Sequence, residues 1–299
     1  MVGTLFIIIG TIYLLLYIPT IYAMFKVNLI KNPCYKIMLM LITADICNII
    51  ANSIIGGYMF SVGAVFCMEP VMMYIEGAYN ITVWGIASFL YVLLAVNRLV
   101  VLISNPFFNQ AFNKVPTLGW AFLACMYGAW VGIIHKPLPY NSKAFGAIYV
   151  PAIEDIATEF PIYENKAHEY NNIVVAILLL VLYMAIGLLL WRKRQNYKGD
   201  EGKVSKAEMN ALIQAVFITM PALAACLLYV YMQFASSLSL AMAIVGQISW
   251  QTLSGVSGIF YLTLNQSIRS YYFHRRVHST YEESSTRKDS SARRGVINA

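Results

Sequence analysis

Three ionisable side chains lie inside or at the ends of long apolar stretches, where a charge is costly and is most often functional. Asp45 lies about eight residues inside one stretch, and Glu76 and Arg98 lie near opposite ends of the next. A buried aspartate can change its ionisation between two helix packings and so act in a conformational switch. It can equally be held by hydroxyl groups as part of the packing. Arg98, taken alone, could simply extend to lipid headgroups.

Other kinds of chemistry are poorly represented. A membrane enzyme needs His, Asp or Glu side chains grouped at one depth. His135 and His168 fall in one polar loop, whereas His274 and His278 fall near the carboxyl end. The five cysteines show neither metal-ligand spacing nor a disulfide framework. We therefore expect no enzyme, no catalytic residues, no metal and no cofactor. Retinal is disfavoured because residues 241–264 contain no lysine for a Schiff base.

The composition places these residues in a membrane. Of 299 residues, 59% are hydrophobic and 12% are charged, and the mean hydropathy is +0.63. These values exclude a soluble single-core protein and a disordered chain. The net charge of +7 comes from short basic clusters between apolar runs. Such clusters suit a lipid surface better than nucleic acid.

The uncharged runs predict seven membrane-spanning helices in an all-α bundle, since each crossing needs about 20 mostly apolar residues. The first five cover residues 4–25, 37–60, 71–103, 115–134 and 170–191. Residues 209–268 contain no charge and are too long for one crossing, so we predict two spans. The turn between them is predicted near Ser236, Ser237 and Ser239.

The basic residues predict the orientation, because Lys and Arg remain on the cytoplasmic side. Eighteen of the 21 fall in residues 26–36, 98–114, 192–206 and the segment after 268. The amino terminus is therefore predicted outside and the carboxyl terminus inside the cell.

A stripe of side chains on the third span predicts a ligand pocket. Steps of one helical turn outward from Arg98 reach Trp84, Asn80 and Glu76, about 20 to 33 Å away. The sixth and seventh spans add aromatic and amide groups at this depth: Tyr229, Gln247, Trp250 and Gln251. Aromatic rings with a few polar groups suit a small organic molecule. The alternative is that the amides only hydrogen-bond across helices. The predicted ligand-binding residues are Glu76, Asn80, Trp84, Tyr229, Gln247 and Gln251.

Short motifs give a family resemblance. The third span ends Asn97-Arg98-Leu99 and the seventh ends Ser257-Gly258-Ile259-Phe260-Tyr261. They resemble the Asp-Arg-Tyr and Asn-Pro-x-x-Tyr motifs of rhodopsin-like G-protein-coupled receptors. Six further motifs resemble those of nematode serpentine chemoreceptors of class T: Tyr17-Ile18-Pro19, Cys34-Tyr35-Lys36-Ile37-Met38, Phe66-Cys67, Asn105-Pro106-Phe107, Tyr229-Val230-Tyr231-Met232-Gln233-Phe234 and Asn265-Gln266-Ser267-Ile268-Arg269.

This resemblance implies a plasma-membrane receptor, in sensory cilia, that binds a small environmental molecule in the outer half of the bundle and activates a heterotrimeric G protein. Arg98 and Phe107 would act in G-protein coupling, Phe107 as an exposed aromatic of the second cytoplasmic loop. The switch residues would be Asp45, Asn97, Glu208, Pro221 and Tyr261. Of these, Pro221 would permit the sixth helix to bend.

Two departures from the rhodopsin-like pattern modify these expectations. Asn97 cannot ionise, so Glu208 is the remaining candidate acidic partner of Arg98. We expect the weaker restraint on Arg98 to raise basal signalling. The outer loop at residues 135–169 contains no cysteine, so we expect Cys67 to remain a free thiol.

The chain is predicted to divide into a receptor domain, residues 1–276, and a disordered cytoplasmic tail, residues 277–299. The domain would end in a short amphipathic eighth helix on membrane lipid, and the tail's serines and threonines would recruit a receptor kinase and arrestin. A seven-span transporter or channel is the alternative function. The sparse intramembrane charges and the absence of matching broken helices in two halves disfavour it.

Overall fold

Long helices dominate the computed structural model, which describes residues 2–103, 112, 115–143, 146–149, 162–196, 206–234 and 240–273. The helices are α1 (Val2–Lys26), α2 (Pro33–Val62), α3 (Pro70–Ile103), α4 (Thr117–Gly132), α5 (Lys166–Asn196), α6 (Lys206–Phe234), α7 (Leu240–Leu264) and α8 (Gln266–Phe273). A 3₁₀ turn, Leu29–Lys31, joins α1 to α2.

The apolar character of these helices identifies an integral membrane protein. Within the described residues, α1, α2, α3, Lys166–Lys193 of α5 and Leu212–Met232 of α6 are long and apolar enough to cross a bilayer. The apolar helix α4 is shorter, with 16 residues, and α7 has 25. The mostly helical fold is thus confirmed, whereas the count of seven spans and the orientation of the termini stay predictions. The turn predicted near Ser236, Ser237 and Ser239 lies outside the described residues.

Helix α3 occupies the centre of the bundle. It packs against α2, α4, α5 and α6, while α7 packs against α6, α1 and α2. Small residues allow the closest approach between α3 and α4. A Cβ atom on Gly128 would lie 2.5 Å from the Thr82 carbonyl oxygen, and one on Gly132 would meet the Thr82 backbone. Glycine at both positions permits the tight backbone packing on which membrane helices rely.

Helix α2 begins with a cap and contains a π turn. Pro33 occupies its first turn, and the Asn32 side chain accepts a hydrogen bond from Cys34 N at 3.0 Å. The α-helix Pro33–Ile49 then widens into the π turn Ile50–Ile55 before Gly56–Val62 completes the rod. The π turn, which the apolar run does not indicate, carries the buried side chains of Asn52 and Ser53.

The segment between α4 and α5 departs from the all-α prediction. Tyr140–Asn141 and Gly146–Ala147 pair as a two-stranded antiparallel hairpin, β1 and β2. Tyr140 projects from it into the bundle and is 1% exposed. Burial, with a smaller contribution from Glu76, raises the pKa of Tyr140 well above its ordinary value, so its neutral hydroxyl donates to Asn52 Oδ1 at 2.8 Å.

The start of α5 is a second correction. The apolar run predicts a span that begins at Tyr170, with His168 in the preceding loop. Asn165 instead caps the helix by accepting a hydrogen bond from His168 N at 2.9 Å. Its amide also donates to the Val131 and Lys136 carbonyls, which ties the start of α5 to α4. The helix therefore begins at Lys166 and includes His168.

Candidate functional site

The predicted stripe on α3 is a buried row. Glu76, Asn80 and Trp84 are 6%, 0% and 4% exposed. The Asn80 amide donates a hydrogen bond to Glu76 Oε1, and the Trp84 indole donates to Asn172 Oδ1 of α5 at 2.8 Å. One-turn spacing on a single helix puts the three on one face, as the sequence indicated. We call the end of the bundle that contains Glu76 the Glu76 end, and the opposite end the Arg98 end.

The two glutamines of α7 hydrogen-bond to other parts of the protein. Gln247 donates to Asn52 Oδ1 in the π turn of α2, which also accepts from Tyr140. Gln251 donates to the Phe6 carbonyl of α1 at 2.8 Å. These amides connect α7 to α1, α2 and the hairpin. Their geometry is what the alternative interpretation, hydrogen bonding across helices, predicts.

A small cavity lies between α3, α5, α6 and α7, and Trp250 of its wall lies between Gln247 and Gln251 along α7. Its free space is about 10 Å³, roughly enough for one water molecule. We call it the aromatic cavity, and its lining residues are Trp84, His168, Ala225, Tyr229, Trp250 and Leu253. Of the six predicted ligand-binding residues, it brings together Trp84 and Tyr229. Glu76, Asn80, Gln247 and Gln251 do not line it.

His168 is the residue of this cavity that sequence reasoning missed. It lies on the first turn of α5 and is 5% exposed. Tyr149 contacts its Nδ1, and Asn172 Nδ2 lies 3.3 Å from its Nε2. The signal that could have found it is the helix-capping Asn165 three residues earlier. Reading that cap would have placed His168 on the helix face of Asn172, one turn further along.

Asp45 is fully buried and is held by tyrosine hydroxyls. Tyr17 of α1 donates to Asp45 Oδ2 at 3.0 Å, and Tyr91 of α3 approaches Oδ1 at 3.4 Å. The Tyr17 hydroxyl also contacts the Ser254 carbonyl of α7. Asp45 thus lies where α1, α2, α3 and α7 meet. This geometry suits packing by hydroxyl groups and leaves a switch role as a prediction.

Arg98 is buried at its end of α3, with 7% exposure. Its Nη2 donates to the Asn97 side-chain oxygen at 2.8 Å, while its Nε has no hydrogen-bond partner among the described residues. An amide oxygen restrains a guanidinium less strongly than a carboxylate would. The side chain of Glu208, the predicted acidic partner, lies outside the described residues, as does Phe107.

Asn265, at the junction of α7 and α8, joins four helices at the Arg98 end. Its amide donates to Tyr35 Oη of α2 at 3.0 Å and to Gln214 Oε1 of α6 at 2.8 Å. Its side-chain oxygen accepts from Ile268 N at 3.0 Å and so caps α8. We call Asn265, Tyr35 and Gln214 the Asn265 cluster. It fixes α6 to the rest of the bundle near Arg98.

Two further predicted switch residues lie in the helices around this region. Pro221 lies inside α6, where it removes one helix hydrogen bond. Two residues earlier, the Thr219 hydroxyl donates to the Ala215 carbonyl at 2.8 Å. Tyr261 of α7 is fully buried, and its hydroxyl has no hydrogen-bond partner within the described ranges.

The described residues contain no group of three or more His, Cys, Asp or Glu side chains that could hold a metal ion. All five cysteines are described and are free thiols, with Cys67 exposed.

Comparison with known proteins supports a receptor. The chain matches the family model described as "Serpentine type 7TM GPCR chemoreceptor Srt" over residues 1–284. It is 25% identical, over 240 residues, to Serpentine receptor class T-55 of Caenorhabditis elegans. That match covers 80% of this chain and 64% of the relative, so the chain spans just under two thirds of the relative's length.

Proposed function

This chain belongs to the serpentine chemoreceptor family Srt, and we propose that it binds a small environmental molecule in the Glu76 half of the bundle and activates a heterotrimeric G protein at the Arg98 end. Family membership supports a receptor rather than an enzyme. The proposal places seven spans in the plasma membrane of sensory cilia, with the amino terminus outside and α8 on the inner leaflet. Residues 277–299, which lie outside the described part of the chain, would bind a receptor kinase and arrestin.

The observation that carries the proposal is the position of two sites on one helix. Helix α3 contributes Trp84 to the aromatic cavity and Arg98 to the opposite end. Fourteen residues separate them, which is about 21 Å along the helix. A ligand at Trp84 therefore cannot touch a protein partner at Arg98. Its effect must travel through a change in helix packing.

Helix α6 is the element best suited to carry that change. Pro221 lacks the N–H that would bond to the carbonyl four residues earlier, so the helix bends most easily there. Tyr229 lines the aromatic cavity on one side of Pro221, and Gln214 bonds to Asn265 on the other. An outward movement of the Gln214 half would break that bond and open the bundle beside Arg98. A ligand must favour the open packing by a few kcal/mol to shift the population usefully.

The test is nucleotide exchange on purified heterotrimeric G proteins by the receptor in lipid nanodiscs. Because Asn97 restrains Arg98 only through an amide, we expect measurable exchange without ligand. Arg98→Ala should reduce exchange to the level of empty nanodiscs. Arg192→Ala, which removes an exposed arginine of α5 near the same end, should retain most of it.

The contrary outcome is equally specific. If no G protein in a panel of subtypes responds, or if Arg98→Ala is as active as Arg192→Ala, the coupling proposal is wrong. Movement of small solutes across receptor-containing vesicles, without G-protein activation, would favour a transporter or channel instead.

A further inference from the structure

We propose that the aromatic cavity selects an uncharged, flat aromatic molecule that carries a hydrogen-bond acceptor for the indole N–H of Trp250. This inference names the ligand class for the proposed receptor and therefore rests on the proposed function. It excludes the amine and carboxylate ligands that a charged pocket would bind.

The shape of the cavity comes from aromatic rings. The rings of Tyr229 and Trp250 lie 5.9 Å apart at 85°, and those of His168 and Tyr229 lie 6.4 Å apart at 64°. Trp84 adds an indole from α3, and Leu253 and Ala225 complete the wall. Rings at steep angles to one another present both edges and faces, to which a flat aromatic molecule packs well. The free space of about 10 Å³ is far below that of typical drug-sized pockets of about 300 to 1,000 Å³, so a single ring enters only as the side chains of the wall move apart.

Among the described residues, the wall of the aromatic cavity contains no carboxylate, ammonium or guanidinium group. Glu76 precedes Trp84 by eight residues, about 12 Å along α3, and is hydrogen-bonded to Asn80. A charged ligand would therefore be buried without an opposite charge, at a large cost in desolvation free energy.

The hydrogen bonds around His168 keep its imidazole neutral. The Trp84 indole can only donate, so the atom of Asn172 that it meets must be the side-chain oxygen. The Asn172 NH₂ group then faces His168 Nε2, at 3.3 Å, and that nitrogen must accept. The ring proton therefore lies on Nδ1 and is donated to the Tyr149 hydroxyl oxygen. A histidine fixed in this way provides a polar ring edge without a charge.

Trp250 supplies the hydrogen-bond donor. Its side chain is 3% exposed, and its indole Nε1 has no hydrogen-bond partner among the described residues. Trp84, the other indole of the wall, already donates to Asn172. Buried N–H groups nearly always have an acceptor, and leaving one without it costs free energy. A carbonyl or ether oxygen on the ligand would provide that acceptor.

The experiment measures thermal stabilisation of the purified receptor by five probes of similar size. Acetophenone has the ring and the acceptor, ethylbenzene lacks the acceptor, and cyclohexyl methyl ketone lacks the aromatic ring. 1-Phenylethylamine and benzoate carry a positive and a negative charge. Because stabilisation grows with ligand concentration relative to Kd, titration ranks the affinities. We expect acetophenone to bind tightest, the two other uncharged probes more weakly, and the charged probes not at all.

Variants locate the binding. Trp250→Phe keeps a ring but removes the donor, so the Kd of acetophenone should rise about tenfold while that of ethylbenzene stays the same. Trp120→Phe is the matched control, because the Trp120 indole also lacks a described acceptor but stacks on Phe112 outside the aromatic cavity. It should leave both Kd values unchanged. Ala225→Leu should fill the cavity and abolish stabilisation by every probe, and it decides the question if Trp250→Phe does not fold.

Several results would overturn the inference: no stabilisation by acetophenone at millimolar concentration, tighter binding of either charged probe, or acetophenone binding that survives Ala225→Leu. These outcomes are independent of the G-protein assay, which can be scored without ligand. Binding in the expected order by a receptor that activates no G protein would retain the ligand class and reject the coupling. Nucleotide exchange that depends on Arg98, in a receptor that does not bind the probes in the expected order, would retain the coupling and reject the ligand class.

Discussion

Removing the two tyrosine hydroxyl groups next to Asp45, one at a time, should lower the stability of the protein by different amounts. Tyr17→Phe and Tyr91→Phe each delete one hydroxyl while keeping a ring that is 1% or less exposed. The Tyr17 hydroxyl donates to Asp45 Oδ2 at 3.0 Å and contacts the Ser254 carbonyl, so it joins α1 to α2 and α7. Among the described residues, the hydrogen-bond contact of the Tyr91 hydroxyl is the 3.4 Å approach to Oδ1, which is beyond the usual range for O–H···O bonds.

The expected losses of stability follow from side-chain hydrogen bonds measured in other membrane proteins. The contribution of one such bond to the free energy of unfolding averages about 0.6 kcal/mol and reaches about 1.7 kcal/mol. Tyr17→Phe should therefore lower the free energy of unfolding by about 1 to 2 kcal/mol. Tyr91→Phe should lower it by about 0.5 kcal/mol or less. At about 2 °C or more per kcal/mol for a chain of this size, Tyr17→Phe should reduce Tm by about 2 to 5 °C.

Unfolding can be measured through the reactivity of buried cysteine thiols. Cys34 and Cys226 are buried, whereas Cys67 and Cys125 are exposed and Cys47 is half-buried. In a background with the last three replaced by serine, a fluorogenic thiol reagent should report unfolding of the bundle on heating. The two phenylalanine variants are compared in that background.

A double-mutant cycle with Asp45→Asn separates the hydrogen bond from other effects. We expect a coupling of about 1 kcal/mol between Tyr17 and Asp45 and almost none between Tyr91 and Asp45. Equal losses from the two phenylalanine variants, or no coupling for Tyr17, would refute the reasoning that Asp45 is held mainly by Tyr17.

Three further predictions concern helix packing and basal signalling. Asn97→Asp should replace the amide bond to Arg98 with a charge-assisted one and lower ligand-free nucleotide exchange several-fold; unchanged exchange would contradict this. Gln214→Leu should release α6 from Asn265 and raise ligand-free exchange, whereas exchange equal to that of the unmodified receptor would show that the Asn265 cluster does not restrain α6. Gly128→Leu should force α4 away from α3 and cost about 2 kcal/mol or more, measured as lower Tm and folded yield; normal stability would show that the helices separate freely.

The sequence alone predicted the class of protein and much of its architecture. Continuous apolar runs indicated the membrane helices, since a bilayer requires about 20 apolar residues per crossing regardless of how helices pack. Helical periodicity placed Glu76, Asn80 and Trp84 on one buried face, and their row is present in the structure. Short motifs identified class T serpentine chemoreceptors, and the family match confirms that identification.

Contacts between distant segments decided which side chains face the aromatic cavity, which helical periodicity does not predict. Depth along a helix placed Trp84, Gln247, Trp250 and Gln251 in one layer, but only packing decided that the two tryptophans face the aromatic cavity. The glutamines bond instead to α1 and α2. A rotation of one helix about its axis changes which side chains meet while leaving every depth the same.

His168 illustrates the same division between local and tertiary information. Its helical conformation depends on Asn165, a local capping signal that is present in the sequence. Its burial and its ring contacts depend on Trp84, Tyr149 and Asn172, of which Trp84 and Tyr149 come from other elements of the fold. Sequence patterns report the conformation of a segment and its preference for lipid. The hydrogen-bond partners of a buried polar group are fixed only when the helices pack together, because they come from residues far apart along the chain.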